Sequence, residues 1–169
     1  DMIARAFEEN VQRIFIPNVD QYTVKGMMDI VAAHPKKCFP MIGLHPCHVK
    51  EDFKVELEVL KTHLDTGVYC AVGEIGMDLY WDKTFVEEQK DAFRTQIHWA
   101  KEKGLPIAIH CRDAFDEIFE ILEDEKDELL RGVFHCFTGT LEQAYRAIDF
   151  NFYLGIGGVV TFKKAGLDE

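Results

Sequence analysis

Apolar positions along this chain alternate between helical and strand-like spacing. Met2, Ile3, Ala6, Phe7 and Val11 fall on one stripe and predict an opening helix. The next apolar run, Arg13-Ile14-Phe15-Ile16-Pro17, is too short for a helix and rich in β-branched and aromatic residues. Closed by Pro17-Asn18, it predicts a strand. The alternation then repeats. Val24, Met27, Met28 and Val31 predict a helix before the strand-like Phe39 to Leu44, and Phe53, Leu57, Leu60 and Leu64 predict another before Val68 to Val72. Phe85 to Lys103 is the longest helical stretch, stopped by Gly104 ahead of the strand Pro106 to Ile109. Phe115, Ile118, Ile121 and Leu122 precede the strand Gly132 to Phe134, and Leu141, Ala144, Tyr145 and Ile148 precede Phe152 to Ile156.

Strands that are nearly continuous in apolar residues and alternate with helices predict an α/β fold with parallel strands covered by crossover helices. The strand ends Asn18, His45, Glu74, His110, His135 and Gly157 recur about every 28 residues. Eight such units would take about 220 residues, the size of a (β/α)8 TIM-type barrel. The reading is therefore one incomplete barrel domain over residues 1–169, with about six of the eight βα units and without the first and last strands. An open doubly wound sheet is the alternative, but no Gly-x-Gly-x-x-Gly opens a helix to support it.

Composition narrows the class of partner. Lys plus Arg number 19 against 30 Asp plus Glu, a net charge of −11, which excludes a broad basic groove for nucleic acid. Any phosphate ligand would need a local cation. No apolar run reaches the length of a membrane span, and five cysteines without a Cys-x-x-Cys pair argue against a disulfide framework and a zinc ribbon. The expectation is a cytoplasmic protein with no membrane association and no obligate protein partner.

The chemistry sits at the strand ends. Successive runs deliver His45, Glu74, His110 and His135, and in a parallel barrel those ends surround one mouth. Imidazole nitrogen with carboxylate oxygen suits zinc, manganese or iron, and carboxylate-rich sets accept magnesium. Glu74, His110 and His135 are the expected metal ligands, with Glu74 also the catalytic candidate. A lone histidine at a strand end is often only a hydrogen-bonded structural residue, yet three such groups closing buried strands would each pay for desolvation without a shared partner. Cys111 and Cys136 follow the two histidines, and period-two geometry turns them toward the helices as packing residues. Substrate-binding candidates are His45, Arg112, Tyr80, Trp81 and Lys163. His45 either contacts a phosphate or packs the rim. Arg112 either grips an anion in two places or pairs with Asp113 or Asp116. Tyr80 and Trp81 either stack on bases or staple their loop to the barrel.

The runs Gly43-Leu44-His45-Pro46, Val72-Gly73-Glu74-Ile75-Gly76-Met77-Asp78, His110-Cys111-Arg112, His135-Cys136-Phe137-Thr138-Gly139 and Val160-Thr161-Phe162-Lys163 together resemble the TatD-type metal-dependent deoxyribonucleases, over nearly the whole chain. The resemblance implies a (β/α)8 barrel related to amidohydrolases that hydrolyses phosphodiesters of DNA, commonly from the 3′ end, with divalent metal. It also implies that Glu74 bridges two metals while His110 and His135 ligate one of them. His45, Arg112 and Lys163 fall on motifs near the site. Two features of the family are missing from this sequence: a His-x-His pair on the first strand and an Asp closing the eighth.

The function expected is a two-metal deoxyribonuclease using magnesium, manganese or zinc on DNA ends or single-stranded DNA. Two alternatives stay open at this point. One is an amide or ester hydrolase on the same barrel, and the other is a catalytically incomplete fragment.

Overall fold

The computed structural model describes residues 2–163 and 165–166. Six strands, β1 (Ile14–Pro17), β2 (Cys38–Ile42), β3 (Ala71–Asp78), β4 (Ile107–Arg112), β5 (Gly132–Phe134) and β6 (Phe152–Leu154), form one sheet in sequence order. Every neighbouring pair is parallel. Helix α1 (Met2–Glu8) precedes β1, and α2 (Val24–Ala33), α3 (Phe53–Leu64), α4 (Val86–Lys103), α5 (Phe115–Asp124) and α6 (Leu141–Asp149) make the crossovers. The strand order never reverses, as it must in a doubly wound sheet. The arrangement is that of successive βα units of a barrel, an α/β fold as expected, with β1 and β6 at the two edges of the sheet.

Most boundaries follow the apolar pattern within a few residues. Gly104 ends α4 in the left-handed conformation, φ 64°, as its lack of a Cβ allows. Thr140 and Gln143 close the start of α6 with a reciprocal capping box. The larger departure is β3, which starts three residues later than Val68 and runs to Asp78 rather than ending near Val72. Glu74 therefore lies inside a strand. The apolar pattern stopped at Gly73 because the polar side chain that follows faces away from the helices.

The core lies between the sheet and the helices. Ile42, Val72, Ile75, Met77, Ile107, Ile109 and Phe134 of the strands are almost fully buried against Leu60, Phe93, Ile97, Phe119 and Leu122 of the helices. Phe134 is ringed by Phe115, Phe119, Phe137 and Phe152 at centroid distances of 5.6–6.2 Å, which anchors the strand immediately before His135. Truncating a buried phenylalanine of this kind costs about 3–5 kcal/mol. The opposite face of the sheet borders an open cavity of about 530 Å³ that includes Phe15, Ala108, Tyr153, Glu74 and His135 in its lining. Among the described residues no helix is long and apolar enough to cross a membrane, and all five cysteines are free.

Candidate metal centre

Glu74 reaches the inner face through an irregularity in β3. Val72 pairs with Ile107 and Gly73 with Ala108, but Ile75 then pairs with Ile109, so Glu74 is an extra residue in the ladder. A bulge of this kind re-aims a side chain. Here it turns Glu74 inward while Val72, Ile75 and Met77 all stay in the core. The Gly73–Glu74 peptide is cis. Gly76 stands opposite His110, with φ 135° and with no space for a Cβ, which would collide with the His110 carbonyl oxygen. Only glycine accommodates both demands.

One carboxylate oxygen gathers two histidines from separate strands. Glu74 Oε1 lies 3.1 Å from His110 Nδ1 and 3.0 Å from His135 Nδ1, and the far nitrogen of His110, Nε2, lies 2.8 Å from Asp78 Oδ2. A carboxylate only accepts hydrogen bonds, so both nitrogens of His110 carry protons in this arrangement. His45 packs edge-on against His110 with ring centroids 4.4 Å apart. Donor atoms of His45, Glu74 and His110 lie within 4.8 Å of one another, and His135 joins this group through Glu74.

The electrostatics follow from burial and pairing. Burial would raise the Glu74 carboxyl, but the hydrogen bonds from His110 and His135 outweigh it and hold the group far below the usual carboxylate range. Burial lowers His110, and its bonds to Glu74 and Asp78 reverse this and leave it raised. The Glu74 hydrogen bond raises His135 against a smaller burial effect. His45 goes the other way: burial and the neighbouring His110 charge lower it to about 4. Its Nδ1 accepts the Cys47 backbone N–H at 3.2 Å, so the neutral ring carries its proton on Nε2. Two imidazoles and a half-buried carboxylate converging in this way fit zinc, manganese or iron.

Among the other sequence candidates, Arg112 makes no ion pair with Asp113 or Asp116. Instead its guanidinium lies 3.8 Å over the ring centroid of Tyr80 and 5.1 Å from that of Trp81. Tyr80 and Trp81 meet edge to face at 4.8 Å and are 51% and 69% exposed, so they form an open platform rather than a staple. Lys163 is exposed beyond a short 3-10 turn, Gly158–Thr161. Among the described residues it makes no hydrogen bond or ion pair with the Glu74 group. Cys111 packs against the core as expected. Cys136 does not. Strand β5 ends at Phe134, so period-two geometry no longer applies, and Cys136 turns at φ 46° with its Sγ 3.9 Å from His135 Nε2.

Sequence reasoning missed Asp78, Cys47 and two glutamines. Asp78 is buried, and its Oδ1 accepts the Tyr80 and Trp81 backbone N–H groups, so one side chain both holds the aromatic loop and faces His110. Cys47 Sγ lies 3.4 Å from Asp78 Oδ2. Gln89 and Gln96 are buried on the apolar stripe of α4, a polar interruption that signals a specific backbone partner.

The sequence matches the family described as TatD related DNase over residues 1–168. The chain belongs to this family. A metal-dependent hydrolase of Bacillus subtilis, YabD, described as uncharacterized, is 39% identical over 165 residues, 98% of this chain and 64% of that protein. The 3′-5′ ssDNA/RNA exonuclease TatD of Shigella flexneri is 31% identical over 170 residues, covering 99% of this chain and 64% of its own length. Among solved structures, the TatD homologue YJJV of Escherichia coli superposes with a TM-score of 0.87 at 29% identity, covering 96% of this chain and 63% of the other. The chain thus spans a little under two thirds of the length of these TatD relatives. The TatD likeness extends over all six βα units and includes the strands that carry Glu74, His110 and His135.

Proposed function

We propose that this protein is a divalent-metal-dependent hydrolase that cleaves phosphodiester bonds of DNA, removing nucleotides from 3′ or single-stranded ends. The observation that carries the reading is Glu74, whose single oxygen draws in His110 and His135 beside the exposed Arg112, Tyr80 and Trp81. Membership of the TatD-related family and likeness to relatives named as 3′-5′ exonucleases support the substrate class.

In this proposal Glu74, His110 and His135 would hold divalent ions, magnesium, manganese or zinc, and Glu74 would be the ligand shared between two of them. When bound, the ions supply a water-derived nucleophile at neutral pH and neutralise charge on the scissile phosphate. The side chains do the rest. Glu74 stays ionised at any physiological pH because its carboxyl is held so low. His45, neutral with its proton on Nε2, donates a hydrogen bond to a phosphate oxygen without adding charge. Arg112 pairs with a phosphate through the guanidinium edge while its face lies on Tyr80. Tyr80 and Trp81 stack on unpaired bases, a sequence-tolerant way to hold a frayed end. Affinity is then local and cation-dependent, which reconciles a polyanionic substrate with a net charge of −11.

The test is hydrolysis of single-stranded DNA labelled at either end, with manganese or with chelator. Shortening from the 3′ end that stops with chelator and in Glu74→Gln is the expected result. Chelator-resistant cleavage overturns the proposal. Cleavage of an amide, lactone or aminoacyl ester with DNA left intact would move the substrate to a carbonyl compound.

A further inference from the structure

We propose that Cys47, Asp78 and the Nε2 edge of His110 form a separate, thiolate-containing site for a soft divalent cation, zinc or cadmium, adjoining the Glu74 group. The three donors come from different elements: the 3-10 turn after β2, the end of β3, and β4. Cys47 Sγ is 3.4 Å from Asp78 Oδ2, that oxygen is 2.8 Å from His110 Nε2, and all three donor atoms lie within 4.8 Å of one another. In a tetrahedral zinc site, bond lengths of about 2.3 Å to sulfur and about 2.0 Å to oxygen put those two ligands roughly 3.5 Å apart. The sulfur and the oxygen already stand at that separation.

Each donor is also held from behind. Asp78 spends Oδ1 on the Tyr80 and Trp81 N–H groups, which leaves Oδ2 facing Cys47 and His110. Pro46 stiffens the turn that carries Cys47, and the Cys47 N–H is fixed on His45. His110 directs Nδ1 at Glu74, 3.1 Å away. An imidazole with one nitrogen on a carboxylate and the other toward the metal is the usual support for a zinc-bound histidine. A cavity of about 230 Å³ lined by Cys47, Asp78 and Trp81 leaves room for solvent as a fourth ligand. Lys50 also lines it, but its ammonium is engaged by Asp82 at 3.3 Å and lies over the Phe85 ring.

The thiolate sets this site apart from the Glu74 group in the cation it selects, since sulfur favours zinc and cadmium over magnesium and manganese. The two sites draw on opposite nitrogens of one imidazole. A neutral imidazole has a single lone pair to give, so a soft ion on Nε2 leaves Nδ1 as a proton donor to Glu74.

Cobalt reports directly on sulfur ligation. Titrating the protein with cobalt(II) is expected to produce a thiolate-to-cobalt charge-transfer band that saturates at one thiolate-bound cobalt per chain, is displaced by zinc, and is lost in Cys47→Ser. The absence of a band in the wild type, or its persistence in Cys47→Ser, overturns the proposal. Alkylation of the unaltered protein gives an independent reading. Saturating zinc should slow modification of Cys47, mapped by mass spectrometry, at least tenfold, and an unchanged rate overturns the site whatever the variant does. Neither readout needs nuclease activity, so each stands or falls apart from the substrate proposed above.

Discussion

Gln89 and Gln96 lie two turns apart on α4, and each clasps both backbone polar groups of one residue at the mouth of the sheet. Gln96 accepts from Leu44 N at 2.7 Å and donates to Leu44 O at 3.3 Å. Gln89 does the same for Asp78, at 2.9 and 3.3 Å. One helix thereby sets the ends of β2 and β3, and with them His45 and the Asp78 carboxylate. Gln96→Leu would leave two buried Leu44 groups unpaired, at about 1–3 kcal/mol each. The expected loss is roughly 2–6 kcal/mol in urea unfolding, with weaker binding of single-stranded DNA through the displaced His45. An unchanged urea midpoint would show that solvent replaces the amide freely.

Gly76→Ala should be more damaging than its size suggests. The new Cβ would meet the His110 carbonyl oxygen at a φ of 135°, so β3 and β4 would have to separate where Glu74 and His110 meet. A loss of about 3 kcal/mol or more is expected, because overpacking and backbone incompatibility add. Unfolding by urea measures it. Gly26→Ala, at a site with open space around the glycine, is the control and should be neutral or stabilising.

The periodicity that predicted these elements is the signature of burial, and it failed where burial and function diverge. The parallel order of the strands was legible because each run is apolar on the helix-facing side, with Ile107 and Ile109 of β4 as the clearest case. The candidate ligands Glu74, His110 and His135 were legible as chemistry-bearing residues breaking that pattern. The bulge at Glu74 was not, since an extra residue in a ladder leaves no composition signal beyond the flanking glycines Gly73 and Gly76. Asp78 was hidden for a related reason: beside Tyr80 and Trp81 it reads as part of a solvated loop, whereas its backbone is fastened by Gln89 from 11 residues away.

Glu74→Gln keeps the shape of the side chain and removes its charge. Losing a partner that merely supports a ligand costs about 10–100-fold in metal affinity, and the ligand role proposed for Glu74 predicts a larger cost. Manganese binding followed by calorimetry is expected to weaken beyond 100-fold, with Asn18→Ala, a variant at a buried backbone clasp on Gly43, losing stability instead. Equal manganese affinity in wild type and Glu74→Gln would remove Glu74 from the centre.

Metal-free stability should depend on pH in a way that Glu74 controls. A carboxyl held below its ordinary value contributes fully above about pH 4.5 and loses that contribution as pH falls toward its folded value. His110 and His135, both raised, contribute fully below about 6.5 and lose it as pH rises through their folded values. The two contributions overlap between those limits. His45 opposes them there, because a ring lowered to about 4 loses stability as pH falls from 6.5. With chelator present, the stability gap between wild type and Glu74→Gln is expected to be widest near about pH 5.5 and to narrow near about pH 9. A gap that does not change with pH would mean that the histidines titrate independently of Glu74.

Arg112→Lys separates stacking from charge at the aromatic platform. The guanidinium lies flat over Tyr80 at 3.8 Å, a contact that a compact ammonium on a flexible stem does not reproduce. Lysine keeps the positive charge, so a purely electrostatic role predicts little change in affinity for a short single strand and an unaltered salt dependence. If the planar face orders Tyr80 and Trp81 for base stacking, worth about 1–3 kcal/mol per base, the dissociation constant measured by fluorescence anisotropy should rise roughly 5–150-fold. Trp81→Ala should then add little further loss, because the two changes dismantle one platform. Fully additive losses would instead assign Arg112 to a phosphate and Trp81 to a base at independent positions.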